Sequence, residues 1–355
     1  METPLSKRLY LDHAATTPLL PEAKRAMADA LDRWANPSSP HAEGRAARAA
    51  FEEARARIAA ALGWRHDVII TSGASEAIAI GLGRAKAGRR LVSAVEHDAV
   101  LRAVPDAERL PVDARGIVQL GGVVGASDLV AVQHVNNETG VIQPLDLIAH
   151  EVRQAGALLF ADCAQSARKI DLPDADFIAV SAHKLGGPPG VGALLVRDLA
   201  TLEATGGQER GYRGGTENLP AVLGFAAALD AGREWVAQAA ALRELLEDRL
   251  KAEGGEVIAE GVARIATIGG YRMPGVAANA QLIQFDLAGI AVSAGSACSS
   301  GSMKPSHVLA AMGMAAPAAG EVIRVSFGPD TSMSDVDRFA EEWLRIARRA
   351  RAKAA

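Results

Sequence analysis

The chain has few cysteines, no excess of positive charge and no long apolar run, and each scarcity excludes a class of protein. Two cysteines among 355 residues are too few for a disulfide-rich secreted fold and have no metal-ligand spacing such as C-x-x-C, so we expect no metal. A net charge of −4 provides no basic field for nucleic acid or anionic lipid. No apolar run approaches the roughly 20 residues that span a bilayer. The amino terminus lacks a secretion signal, so we expect a cytoplasmic protein without membrane contact.

Apolar runs of strand length alternate with helical patterns through the first two thirds of the chain. The helical patterns cover residues 43–62, 74–82 and 144–155, and the strand-like runs cover residues 68–71, 90–95, 127–133, 157–161, 176–181 and 192–197. Such alternation predicts an α/β fold with a mainly parallel central sheet flanked by helices. In these sheets ligands bind beyond the carboxyl ends of the strands.

The pattern changes after a helix that we predict over residues 239–252, which ends at a Gly-Gly pair. Strand-like runs follow at 265–269, 281–286 and 322–328, and a closing helix begins near Ser334. We therefore predict a large α/β domain over residues 14–238, and a smaller α+β domain built from residues 1–13 and 239–355.

Lys184 and Asp162 carry the most informative chemistry. Lys184 follows a strand-like run and precedes the Gly/Pro-rich turn L-G-G-P-P-G, while Asp162 ends another apolar run. An amine shielded from water at a strand end can lose its proton and condense with an aldehyde. A lysine for the aldehyde and a carboxylate for the pyridinium nitrogen are what pyridoxal 5′-phosphate (PLP) requires of a protein. The pair predicts a PLP site.

Two further motifs follow strands but are weak when taken alone. The segment T71-S-G-A-S-E-A opens a helix, and its free backbone N–H groups could bind a phosphate, although ordinary helix capping gives the same pattern. His97 also lies at a strand end, where an imidazole could stack on a pyridine ring and transfer protons. A capping or core histidine is the alternative.

Polar and Gly-rich segments supply the remaining candidates. The cluster H134-V-N-N-E-T-G140 places Asn137 after a strand, where it could bond a cofactor oxygen or a substrate carboxylate, and Gln165 could bond the same cofactor oxygen. The loop G206-G-Q-E-R-G-Y-R-G-G-T216 carries two arginines and could contact phosphate or substrate across a subunit boundary; a linker is the alternative. Arg324 lies in a short strand, where its planar side chain could bind a carboxylate or form a surface salt bridge.

The two cysteines lie in different surroundings. Cys163 adjoins Asp162 in an apolar segment and is typical of a small buried residue. Cys298 lies in S293-A-G-S-A-C-S-S-G-S302, seven of whose ten residues are Ser or Gly. A segment with so little apolar anchorage is expected to be exposed and mobile. A thiol on such a flexible segment could attack within the site and then carry the transferred group outward. We favour this nucleophilic role over the alternative, a polar loop that happens to contain a cysteine.

Together these segments resemble the cysteine desulfurases, PLP enzymes of the class V aminotransferase family with fold type I. The resemblance runs in order from Y10-L-D-H-A-A-T-T-P18 through TSGASEA, EHDAV, HVNNETG, ADCAQS, SAHKLGGPPG and GGQERGYRGGT to SAGSACSSGS and IRVSFG. The segment A294-G-S-A-C298 is similar to the cysteine loop of the first subgroup, whose long mobile loop carries the nucleophile. The stretch 83–127 is shorter than in the family's common pattern.

The resemblance implies a role for each candidate. Lys184 would hold the cofactor covalently, Asp162 would pair with the pyridinium nitrogen, and His97 would stack on the ring. Gln165 would bond the phenolic oxygen. Cys298 would carry a persulfide. The phosphate would be bound by Ala74, Ser75, Ser181, His183 and, from a second subunit, Thr216. The substrate carboxylate would be bound by Asn137 and Arg324, with Arg213 nearby.

The implied activity is removal of sulfur from L-cysteine, which gives L-alanine and a persulfide for a protein acceptor such as an iron–sulfur scaffold or a thiolation enzyme. A homodimer is implied, with no direct nucleic-acid contact. The alternatives are a selenocysteine lyase, another class V PLP aminotransferase, or a non-catalytic scaffold that kept the fold. An aminotransferase would have no use for Cys298.

Overall fold

A seven-stranded mixed sheet forms the centre of the protein, with strand order β2-β8-β7-β6-β5-β3-β4. The computed structural model describes residues 8–297 and 303–354. The sheet strands are β2 (Asp67–Thr71), β3 (Arg90–Ser93), β4 (Glu108–Leu110), β5 (Leu129–Gln133), β6 (Leu158–Asp162), β7 (Phe177–Ser181) and β8 (Gly192–Val196). Only β8 runs antiparallel to its neighbours, β2 and β7, within this sheet. The six strand-like runs of the first two thirds are confirmed as strands, and the mainly parallel sheet is confirmed.

Helices cover both faces of the sheet because alternate strand residues are apolar on both sides. In β2, Val68 and Ile70 pack into one core and Ile69 into the other. The first core is covered by α1 (Pro21–Leu31), α2 (Ala42–Ala61), α5 (Leu145–Gln154) and α6 (Leu219–Asp230), and the second by α3 (Ala74–Arg84) and α4 (Asp98–Ala103). A sheet buried on both faces is what near-continuous apolar strands predict.

A separate core lies in the C-terminal part of the chain. Its elements are α7 (Trp235–Ala252), β9 (Glu256–Val257), β10 (Ile268–Arg272), α8 (Ala278–Leu287), β11 (Ile290–Ala291), β12 (Ser296–Ala297), β13 (Met303–Lys304), α9 (His307–Ala311), α10 (Ala316–Ala319), β14 (Val322–Ser326) and α11 (Met333–Ala354). The N-terminal β1 (Leu9–Tyr10) pairs in parallel with β11, and Leu9 joins this core. This arrangement is compatible with a boundary near residue 238, which stays a prediction.

The prediction of a strand over residues 281–286 is wrong, because this segment lies inside helix α8. The buried residues Ala278, Gln281 and Phe285 recur at helical spacing, and the Phe285 ring stacks on Phe339 of α11 with centroids 4.9 Å apart. Gln281 donates hydrogen bonds to the carbonyls of Val276 and Glu321. A buried glutamine whose amide nitrogen donates to two backbone carbonyls interrupts the apolar stripe from which the helical period would be recognised.

Candidate active site

A cavity of about 590 Å³ opens at the carboxyl edge of the central sheet. Strands β3, β5, β6 and β7 run parallel, so their carboxyl ends meet at this edge, and Gln133 is paired in register with Asp162. Antiparallel β8 begins here, which brings Gly192 opposite both Thr71 and Ser181. Ten of the predicted site residues line the cavity: Ala74, Ser75, His97, Asn137, Asp162, Gln165, Ser181, His183, Lys184 and Arg324.

Lys184 is the ionisable centre of this cavity. It ends a short 3₁₀ turn after β7, and the N-terminal stretch holds this turn: the Thr17 N–H donates to the His183 carbonyl at 2.8 Å, and the Thr17 hydroxyl donates to the Lys184 carbonyl at 3.3 Å. Burial lowers the pKa of Lys184 from 10.5 to about 8, and the charge of Asp162 opposes part of this effect. Near neutral pH a larger fraction of this amine is therefore unprotonated than in an exposed lysine, as a nucleophilic lysine requires.

Asp162 and Gln165 lie on the wall formed after β6. Asp162 is buried, and its Oδ1 accepts the Ala164 N–H at 2.9 Å. Gln165 donates from Nε2 to the Ala14 carbonyl at 2.9 Å, while its buried Oε1 has no partner among the described residues. An unsatisfied buried polar atom facing a cavity is a position that a bound group can satisfy.

The turn between β2 and α3 has the geometry of an anion site. Gly73 has φ +143°, a conformation that side chains rarely adopt, and it begins α3 without a side-chain cap. A Cβ on Gly192 would lie 2.7 Å from the Cα of Gly73, so the close approach of these two turns requires glycine. The first N–H groups of α3 have no partner within the helix, and Ser181 lies next to them in the cavity wall. These features fit a phosphate.

His97 caps the next helix. Its Nδ1 accepts the Ala99 N–H at 3.1 Å at the start of α4. Burial, and then the charge of Lys184, lower the pKa of His97, while Asp162 raises it. His97 therefore caps helix α4, as the alternative interpretation of the sequence predicted, and it also lines the cavity.

Arg324 reaches the cavity from β14. Its guanidinium pairs with Asp12 at 2.7 Å and donates to the Asn137 carbonyl at 3.0 Å, while its buried Nε has no partner among the described residues. The buried pair with Asp12, and not the surface salt bridge considered from the sequence, fixes this arginine. A planar cation at the cavity wall can bind a carboxylate.

Three predicted residues are not among those that line the cavity. Arg213 pairs with Glu76 of α3 at 3.0 Å, and Thr216 is exposed on the same loop. Cys298 lies outside the described residues. The neighbouring Ser296–Ala297 pairs with Met303–Lys304, which brings together the two ends of the segment that contains it.

Several cavity residues escaped the sequence analysis. Asp12 and Glu138 are carboxylates from distant parts of the chain, and His307 begins α9. Glu138 lies within the polar cluster 134–140, and that cluster was the available signal. The His307 position follows Ser306 in a stretch without strand or glycine signals, so nothing local indicated it.

The lysine, the carboxylate and the phosphate-type turn define the class: a fold type I, PLP-dependent enzyme. A family model described as Aminotransferase class-V matches residues 9–339, and the chain belongs to this family. The cysteine desulfurase IscS 1 of Archaeoglobus fulgidus is 34% identical over 94% of this chain and 95% of its own length. The particular branch is therefore that of the cysteine desulfurases.

Solved structures agree with this assignment. The NifS-like protein from Rickettsia africae superposes with a TM-score of 0.88 at 31% identity, covering 96% of this chain and 99% of that one. A structure titled SspA in complex with cysteine gives a TM-score of 0.80 at 28% identity, covering 91% of this chain and all of that one. Among the described residues no helix is long and apolar enough to cross a bilayer.

Proposed function

We propose that this enzyme transfers sulfur from L-cysteine to Cys298, releases L-alanine, and passes the sulfur to a protein acceptor. The observation that carries the proposal is the cavity in which Lys184, with its pKa lowered to about 8, lies with Asp162, His97 and Arg324. PLP, when bound, withdraws electrons from the substrate α-carbon. Binding, orientation and proton transfer would be carried out by side chains of the protein.

The residues that would hold PLP follow from the cavity walls. Lys184 would bind the aldehyde and Asp162 the ring nitrogen, with Gln165 at the phenolic oxygen and His97 against the ring. The phosphate would lie at the start of α3, bound by Ala74, Ser75, Ser181 and His183, with Thr216 of a second subunit. The uncapped turn at Gly73 and the unpartnered Oε1 of Gln165 support this fit.

The substrate would be bound through its carboxylate by Arg324 and Asn137, with Arg213 nearby. Arg324 is already oriented by Asp12, so little side-chain freedom is lost on binding. Lys184 is the buried amine that can take a proton from the substrate, because its pKa lies near neutral pH. The thiolate of Cys298 would attack the substrate sulfur, which leaves a persulfide on the enzyme.

We also propose a cytoplasmic homodimer that supplies sulfur to an acceptor such as an iron–sulfur scaffold or a thiolation enzyme. Two features support the dimer. Thr216 is exposed on a loop outside the cavity of its own subunit. The apolar Leu31 and Trp34 are 68% and 80% exposed, as side chains at a subunit interface are in the isolated chain.

Mass spectrometry of the Cys298 peptide tests the function. After incubation of the loaded enzyme with L-cysteine, we expect one added sulfur on this peptide and an equimolar yield of alanine. Cys298→Ser should bind PLP with unchanged absorbance and release no sulfide. The buried Cys163, whose thiol pKa is raised by burial, provides the internal control and should stay unmodified. Full turnover by Cys298→Ser, or alanine formation only with an added 2-oxo acid, would contradict the proposal.

A further inference from the structure

Two histidines of the cavity are attached to the same short segment. His97 follows Glu96 in the chain, and the Glu96 carbonyl oxygen lies 2.9 Å from Nε2 of His307. Glu96 is itself fixed, because its buried Oε1 accepts the Gln133 N–H at 2.7 Å. Both imidazoles are therefore held at the cavity by Glu96, one through the chain and the other through a hydrogen bond.

The hydrogen bonds determine where each imidazole carries its proton. A carbonyl oxygen can only accept, so Nε2 of His307 is the protonated nitrogen, and Nδ1 of the neutral ring keeps a lone pair. A backbone N–H can only donate, so Nδ1 of His97 uses its lone pair on Ala99, and the proton of the neutral ring is on Nε2. Neutral His97 can thus donate a hydrogen bond from Nε2 but has no lone pair free to accept a proton, whereas His307 has one at Nδ1.

His307 also lies on the side of the cavity that carries the proposed substrate contacts. The preceding Ser306 donates to Glu138 Oε2 at 2.5 Å, and Glu138 follows Asn137, whose carbonyl is bonded to Arg324. Glu138 interacts electrostatically with His307, Arg324 and Asp98. Burial raises the pKa of Glu138, while Ser306, His307 and Arg324 favour its ionised form. The carboxyl group of Glu138 therefore lies close enough to His307 to interact with a charge on its ring.

We propose that His307 Nδ1 is the proton acceptor for a thiol in this cavity, and that His97 acts only as a hydrogen-bond donor through Nε2. This rests on the proposed function, which brings two thiols to the site: that of L-cysteine and that of Cys298. In the step, the S–H bond breaks, its electron pair stays on sulfur as a thiolate, and the proton forms the second N–H bond of the His307 ring. The imidazolium then releases this proton to water. No oxidant or reductant takes part.

The variant His307→Gln separates the role of His307 as a proton acceptor from its hydrogen bond to the Glu96 carbonyl. A glutamine amide can still donate to the Glu96 carbonyl but cannot take up a proton, whereas His307→Ala removes both functions. We expect His307→Gln to melt like the wild type and to slow single-turnover persulfide formation by about 10²-fold at neutral pH. Hydroxide should restore part of the rate as pH rises. Equal rates for wild type and His307→Gln would overturn the proposal.

Alkylation by iodoacetamide distinguishes the two thiols. If His307 serves Cys298, alkylation of the Cys298 peptide in the holoenzyme without substrate slows in His307→Gln. If it serves L-cysteine, that alkylation is unchanged and only sulfur transfer from L-cysteine slows. Both results support the acceptor role and name its partner. Unchanged rates in both measurements would contradict it.

A spectroscopic measurement is independent of turnover. In holoenzyme labelled with ¹⁵N-histidine, we expect the neutral rings of His97 and His307 to be protonated at Nε2. A proton on Nδ1 of neutral His307 would refute the assignment. If the enzyme adds no sulfur to Cys298, the proposed function fails, while these nitrogen signals still decide the protonation pattern.

Discussion

At the scale of single residues, the unusual feature is a lysine buried where water cannot stabilise its charge. Burial lowers the pKa of Lys184 from 10.5 to about 8, so folding disfavours the protonated form. This cost is fully present below pH 8, disappears as pH rises towards 10.5, and amounts to at most about 3 kcal/mol. Lys184→Met should raise the free energy of unfolding of the cofactor-free protein at pH 7 and lose this advantage near pH 10.

Urea titration of both proteins at both pH values checks the expectation. Lys24→Met is the matched control, because Lys24 is exposed on α1 and should give a small change that is the same at pH 7 and pH 10. A Lys184→Met variant that is no more stable than the wild type at pH 7 would mean that the amine is solvated or paired in the folded protein.

The sequence predicted the residues whose chemistry is rare, and it missed those that only distant contacts bring in. Lys184, Asp162 and Asn137 each end a recognisable apolar run, so strand geometry alone predicts that they meet. Asp12 reaches Arg324 across 312 positions and Ser306 reaches Glu138 across 168. No local pattern encodes such pairs, and a sequence cannot say which nitrogen of His97 or His307 is protonated.

At the scale of elements, the sheet edge depends on a glycine that begins a strand. A Cβ on Gly192 would lie 2.4 Å from the Val180 carbonyl oxygen and 2.7 Å from the Gly73 Cα, and both neighbours are backbone. Gly192→Ala must therefore displace the phosphate-type turn or the end of β7. We expect at least about tenfold weaker PLP binding, measured by fluorescence titration of the unloaded protein.

Gly207→Ala is the control for this substitution, because no atom lies within 4 Å of its added Cβ. It should bind PLP like the wild type. Equal affinities for Gly192→Ala and Gly207→Ala would show that the turn at Gly73 does not hold the phosphate.

The prediction of helices and strands succeeded where the hydrophobic period and the length of a run indicated the same element. It failed where a polar residue was buried. The run 176–181 has the length and composition of an interior strand and is β7. The run 281–286 was misassigned because Gln281 is fully buried in a helix, although glutamine usually marks the solvent side. One of its two partners, the carbonyl of Glu321, lies 40 positions away and is a tertiary feature that no short window contains.

At the scale of the whole molecule, one buried ion pair joins α2 to the Gly-rich loop 206–216. Glu209 accepts from Arg55 at 2.5 and 2.8 Å and from the Ile70 N–H at 2.7 Å, and it is 3% exposed. The same loop carries Arg213 and Thr216. Glu209→Ala would leave the Arg55 charge buried with Glu52 as its one remaining carboxylate partner in the described part of the chain, so we expect a loss of about 3–5 kcal/mol in unfolding free energy.

Denaturant unfolding measures this loss, with Glu203→Ala as the control because Glu203 is exposed. A decrease in stability below about 1 kcal/mol for Glu209→Ala would mean that water reaches Arg55. The two arginines of the loop indicated a functional segment in the sequence, yet the residue that fixes the loop is Glu209, which precedes both of them. Its role depends on α2, more than 150 positions earlier in the chain.

Because β8 runs against its neighbours, Lys184 is carried between two strands that both lie inside the sheet. Displacing a reactive group on such a hairpin would break the hydrogen bonds of several neighbouring strand pairs at once. The position of Lys184 therefore depends on the cooperativity of the entire sheet, in addition to the local hydrogen bonds from Thr17. Substitutions elsewhere that merely weaken the fold should reduce the amount of competent enzyme while leaving the chemistry of each surviving molecule untouched.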